Sequence, residues 1–128
     1  MINKPKILIA DDDNDIRDLL KDILENDYHI IEAINGEDAL NHIMDENLAL
    51  VLLDIMMPKL DGYEVAQQII SNNIDVPFIF LSAKGETHFM DELEIKRSSL
   101  VNQDSSDYIV GIRKNDLKEV FTTLIEWK

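Results

Sequence analysis

Three short stretches of this sequence are apolar without interruption: Ile-Leu-Ile-Ala at 7–10, Leu-Val-Leu-Leu at 50–53 and Phe-Ile-Phe-Leu at 78–81. A strand with one wet face alternates apolar and polar residues. An unbroken run implies burial on both faces, the condition of a parallel sheet between two layers of helices. Tyr28 to Ala33 and Tyr108 to Ile112 are weaker strand candidates, rich in β-branched or aromatic residues. Between the strands lie helical periods. Ile16, Leu19, Leu20, Ile23 and Leu24 follow the i, i+3, i+4 spacing, with Asn14 or Asp13 as N-cap. Ala39, Leu40, Ile43 and Met44 repeat it, as do Val65, Ala66, Ile69 and Ile70, and finally Leu117, Val120, Phe121, Leu124 and Ile125. The stretch from Glu86 to about Leu100 reads as a fourth helix through Phe89, Met90 and Leu93.

Strand and helix thus alternate five times, which predicts an α/β fold with right-handed crossovers and helices on both sheet faces. The 128 residues fit one domain, and a 45% hydrophobic content can furnish its core. The formal charge of -14 repels nucleic acid and anionic membrane and favours cations or basic partners. The absence of cysteine excludes disulfides and thiolate metal sites. With no signal-peptide pattern and no long apolar run, the default expectation is a soluble cytoplasmic protein. The chain stops after its fifth expected helix, so no effector domain is expected within it.

In a doubly wound sheet, ligands sit beyond the carboxyl ends of the strands. Asp11, Asp12 and Asp13 follow the first strand, Asp54 the third and Ser82 the fourth. Carboxylates meeting at one sheet edge repel one another unless a cation neutralises them. A hard divalent ion, Mg2+ above all, suits this donor set because it needs only one or two carboxylates and keeps sites for phosphate oxygens. An aspartate beside it can attack phosphorus and form an acyl phosphate.

The segments Ile7-Leu-Ile-Ala-Asp-Asp-Asp13, Leu52-Leu-Asp-Ile-Met-Met-Pro-Lys-Leu-Asp-Gly62 and Phe80-Leu-Ser-Ala-Lys84 resemble the signature segments of response-regulator receiver domains. The resemblance implies one receiver domain over residues 1–128. Its fold would be a flavodoxin-like, five-stranded parallel sheet of order 2-1-3-4-5 with five helices. It also implies Asp54 as phosphoacceptor, Asp11 and Asp12 as the acidic pair that organises Mg2+, and the backbone carbonyl of Met56 as a further ligand. Ser82 matches the hydroxyl that hydrogen-bonds the phosphoryl group, and Tyr108 the aromatic that changes rotamer with it. Pro58 and Gly62 shape the loop after the acceptor, while Met56 and Lys84 occupy variable positions that tune phosphoryl lifetime. The implied partners are a histidine kinase or histidine phosphotransfer protein and an unidentified output partner, with no membrane and no nucleic acid. Such a domain is a switch rather than an enzyme, its chemistry limited to its own phosphorylation and dephosphorylation.

The pattern departs at the fifth strand. Aligning Tyr108 with the aromatic position puts Gly111 where the family carries lysine, and Ile112 where it carries proline. The interval from Ser82 to Tyr108 is also longer than usual, with the excess between Lys96 and Asp107. Losing a charged hydrogen bond of roughly 1.5–3 kcal/mol would weaken the link between phosphorylation and that strand. Arg113 or Lys114 substitutes if the strand slips register, and Lys59 or Lys84 if a loop approaches. The rival reading is a pseudo-receiver, a phosphorylation-independent interaction module. A phosphatase with an aspartate nucleophile is less compatible, because that chemistry wants a second acid two residues on, where Met56 stands. Plainer roles compete at single positions: Asp13 as a helix cap, Ser82 as a loop residue, Tyr108 as a strand aromatic and Gly111 as an edge glycine. The scattered His29, His42 and His88 suggest surface packing rather than a metal site.

Overall fold

The apolar runs become the strands of one sheet because their side chains are needed on both of its faces. The protein's structure, a computed structural model, describes residues 4–82 and 109–113. The strands are β1 (Lys6–Ala10), β2 (His29–Ala33), β3 (Leu50–Asp54), β4 (Phe78–Ser82) and β5 (Ile109–Arg113), the first four joined by α1 (Asn14–Leu24), α2 (Gly36–Asp45) and α3 (Gly62–Ser71). All neighbouring strands are parallel, in the order β2-β1-β3-β4-β5. This is the expected flavodoxin-like sheet. Tyr108 and the helical segments expected at 86–100 and 117–125 lie outside the described residues.

Alternate residues of β1, β3 and β4 feed two separate cores. Leu8, Ala10, Val51, Leu53, Phe78 and Phe80 pack with Ala39 and Ile43 of α2 and Val65, Ala66 and Ile69 of α3. Ile7, Ile9, Leu52 and Leu81 pack with Leu20 and Leu24 of α1 on the other face. Period-two side-chain alternation therefore buries most residues of each run and leaves only Leu50 and Ile79 partly exposed, so no position within a run favours a polar residue.

The helix starts follow side-chain chemistry. Asp13, not Asn14, caps α1, its Oδ1 accepting from the Asp15 N–H at 2.9 Å. Asn35 caps α2 by accepting from the Asp38 N–H at 2.8 Å. Asp61 and Glu64 open α3 with a reciprocal capping box: the Glu64 N–H donates to Asp61 at 2.8 Å and the Asp61 N–H to Glu64 at 3.0 Å. Each cap satisfies backbone donors that the helix itself leaves unpaired, typically worth about 1 kcal/mol. Together they fix where the chain leaves the sheet edge and turns into each helix.

Candidate metal centre

The chain leaves β1 for β2 on one side, then crosses back to β3 on the other. The crevice at this reversal lies between the carboxyl ends of β1 and β3. Asp11 follows β1 directly, and Asp54 is the last residue of β3, paired with Leu81 of β4. Asp54 and Ser82 thus end their strands rather than following them, one residue further into the ladder than the apolar runs suggest.

Asp11, Asp12 and Asp54 come together at this edge, each offering a carboxylate oxygen within 4.8 Å of the others. Asp11 and Asp54 are fully buried, at 0% and 1% exposure, whereas Asp12 is exposed. Like charges this close in a buried setting demand compensation. The donor set is entirely oxygen, which selects a hard cation over zinc or copper. Two ligands on one Mg2+ ion stand at most about 4.2 Å apart, so the cluster fits the ion with slight closure or with a carboxylate acting through water.

Backbone bonds hold the carboxylates in place. The Asp11 N–H donates to the Ala33 carbonyl at 3.0 Å, and the Asp13 N–H donates to Asp11 Oδ1 at 2.9 Å. The Met56 N–H donates to Asp54 Oδ1 at 3.2 Å, and the Ile55 N–H to the Leu81 carbonyl at 3.0 Å. Met56 itself is 63% exposed. The loop 55–61 is closed by the Gly62 N–H donating to the Ile55 carbonyl at 2.9 Å. A Cβ at Gly62 would collide with the carbonyl of Asp54, so only glycine permits α3 to start this close to Asp54. Lys59 turns the loop with a left-handed φ of 70°.

Ser82 closes β4, one residue beyond the partner of Asp54. Its Cα partner on β5 is Arg113, while Gly111 pairs with Phe80 inside the ladder. The last residue of β5 is therefore an arginine, and Gly111 lies two positions inward along the strand. Sequence reasoning also passed over Arg17. This α1 side chain is nearly buried and donates to the Asp11 carbonyl, Glu32 and Asn14. A lone arginine in a helix whose other polar residues are mostly acidic was its only signal.

A family profile described as the response regulator receiver domain matches residues 7–101. The transcriptional regulatory protein ResD of Bacillus subtilis is 42% identical over 109 residues, 84% of this chain and 42% of ResD. The chain spans between 36% and 42% of the length of such curated relatives. Among solved structures, the receiver domain of Francisella response regulator 1452 aligns with a TM-score of 0.70 at 29% identity, covering 96% of this chain and 98% of that one. The response regulator TrrA of Thermotoga maritima, in complex with Mg(2+)-BeF, aligns at 0.59 with 36% identity, covering 76% of this chain and 99% of that one. Among the described residues, no helix is long and apolar enough to cross a membrane.

Proposed function

The chain belongs to the response-regulator receiver family, and from that premise we propose that it is a phospho-accepting switch whose Asp54 takes the phosphoryl group. One observation supports this most: the oxygens of Asp11, Asp12 and Asp54, from two strand ends, lie within 4.8 Å of one another, two of the three residues buried. Asp11, Asp12 and Asp54, with the Met56 carbonyl, would hold Mg2+. The bound ion supplies positive charge that offsets these carboxylates and the phosphoryl oxygens.

A carboxylate oxygen of Asp54 attacks the phosphorus of a partner's phosphohistidine. A P–O bond forms, the P–N bond breaks, and the imidazole nitrogen keeps the electron pair. The Met56 N–H, its nitrogen 3.2 Å from Asp54 Oδ1, holds the carboxylate in place for that attack. Burial of Asp54 keeps bulk water from the acyl phosphate. Ser82 donates a hydrogen bond to a phosphoryl oxygen, and Tyr108 is the aromatic that changes rotamer in response. Receiver domains of transcriptional regulators are generally not enzymes, and here the chemistry is confined to the domain's own phosphorylation and its reversal.

On this reading residues 1–128 form one cytoplasmic receiver domain. A histidine kinase or histidine phosphotransfer protein supplies the phosphoryl group. The output partner reads a surface built from the expected fourth helix, β5 and the expected fifth helix, whose two arrangements phosphorylation biases. Incubation with a small phosphodonor and Mg2+, followed by intact-mass spectrometry, tests the proposal. One added phosphoryl group, lost in Asp54→Asn, is expected. A chain that gains no mass under conditions that modify a control receiver is a pseudo-receiver.

A further inference from the structure

Three acceptors from separate parts of the chain converge on one side chain of α1. The Arg17 guanidinium donates through Nη1 to the backbone carbonyl of Asp11 at 2.7 Å, through Nη2 to Asn14 Oδ1 at 2.9 Å and through Nε to Glu32 Oε1 at 3.2 Å. Glu32 lies on β2 opposite Ile9, just before the Ala33 carbonyl that receives the Asp11 N–H. The Arg17 side chain is only 11% exposed. Asp11 is therefore held at three points: its N–H by β2, its carbonyl by Arg17 and its Oδ1 by the Asp13 N–H.

We infer that Arg17 is a positioning residue for the cation site, fixing the turn that presents Asp11 and Asp12. The inference rests on reading the acidic cluster as a Mg2+ site. The carbonyl of Asp11 belongs to the peptide joining the two acids, so clamping it sets the orientation of both. A planar guanidinium can meet three acceptors at fixed angles, whereas an ammonium of equal charge cannot. Two effects oppose each other when Arg17 is removed. Losing a cation and leaving Glu32 unpaired makes the neighbourhood more negative, which by charge alone tightens Mg2+ binding. Losing the clamp lets the turn relax, which weakens it. The charge change acts through a pair whose Glu32 side chain is 34% exposed and screened by water, whereas the clamp bears directly on the peptide between the two acids, so the geometric effect dominates.

The test is Mg2+ affinity of the full chain, read from amide chemical shifts well below the melting range, with amide exchange in EDTA as a metal-free readout. Arg17→Ala is expected to bind Mg2+ about tenfold more weakly, the low end for partners that orient metal ligands. Arg17→Lys, which keeps the charge, is expected to fall with it. Glu32→Gln leaves an oxygen for Nε and should lose much less than the about tenfold expected of Arg17→Ala. Exchange of the Asp13 amide should quicken in both Arg17 variants. Should Arg17→Ala not fold, Arg17→Lys carries the same prediction. Equal or tighter Mg2+ binding by Arg17→Ala, or full rescue by lysine, overturns the inference. Failure of the wild type itself to respond to Mg2+ overturns the underlying reading too, whereas a wild-type response matched by both variants overturns this inference alone.

Discussion

Removing Asp12 should make the metal-free protein more stable while making it less responsive to Mg2+. The oxygens of Asp12, Asp11 and Asp54 lie within 4.8 Å of one another, so each pair repels by at least about 0.9 kcal/mol even at the dielectric constant of water. Asp12 is exposed and faces two buried neighbours, which makes water a fair medium for a lower bound. Two pairs give about 1.7 kcal/mol. Salt screening and residual repulsion in the unfolded chain reduce the net gain to about 1 kcal/mol. For a domain of this size that is an increase of about 3–5 °C in Tm. Differential scanning calorimetry of wild type and Asp12→Ala in EDTA reads the gain directly. Repeating both in excess Mg2+ should shrink or reverse the difference, because only the wild type gains full binding free energy. A Tm in EDTA equal to or below wild type would refute the reasoning, since it would mean the three carboxylates do not share one electrostatic site.

Other consequences follow from the same geometry. Gly62→Ala should destabilise by about 2 kcal/mol or more in urea denaturation, because its Cβ meets the Asp54 carbonyl and backbone has to move. Glu46 should give stability an acid-side dependence. The His42 N–H donates to its carboxylate at 2.7 Å and, with Lys6 nearby, holds its pKa below the ordinary glutamate value of 4.5 despite partial burial. The contribution is complete above about pH 4.5 and lost as pH falls through the lower folded value, so Glu46→Gln should flatten stability against pH in that window. At β5, Arg113→Gln should blunt the spectral response to Mg2+ and beryllofluoride without changing Mg2+ affinity, since Arg113 pairs with Ser82 at the strand end. An unchanged response would return attention to Gly111, where a lysine would then be expected to strengthen it.

Much of this was legible in the sequence because burial on both faces leaves an unmistakable mark. The runs at 7–10, 50–53 and 78–81 became β1, β3 and β4 with at most one residue added at either end. Asp54 and Ser82 fell inside their strands because the parallel ladder continues as far as neighbouring backbone can pair, whatever the side chain. Tyr28 fell outside β2 because its N–H instead closes the end of α1 on the Leu24 carbonyl. The gathering of Asp11, Asp12 and Asp54 followed from the crevice rule once the strands were placed. Two features were not legible. Arg17 acts on a backbone carbonyl, which any residue supplies, so no spacing records it. The register of β5 follows an interval of unusual length, and only the pairing of Ser82 with Arg113 puts the arginine, rather than Gly111, at the edge.

The proposed switch requires a cation held between two strand ends. Titrating Mg2+ into isotopically labelled, metal-free protein while following the amides of residues 11–13 and 54–57 tests this most directly. Saturable shifts confined to those two segments at millimolar Mg2+, abolished in Asp54→Asn, are the predicted result. Shifts that are absent, linear, or spread evenly over the acidic surface would contradict it.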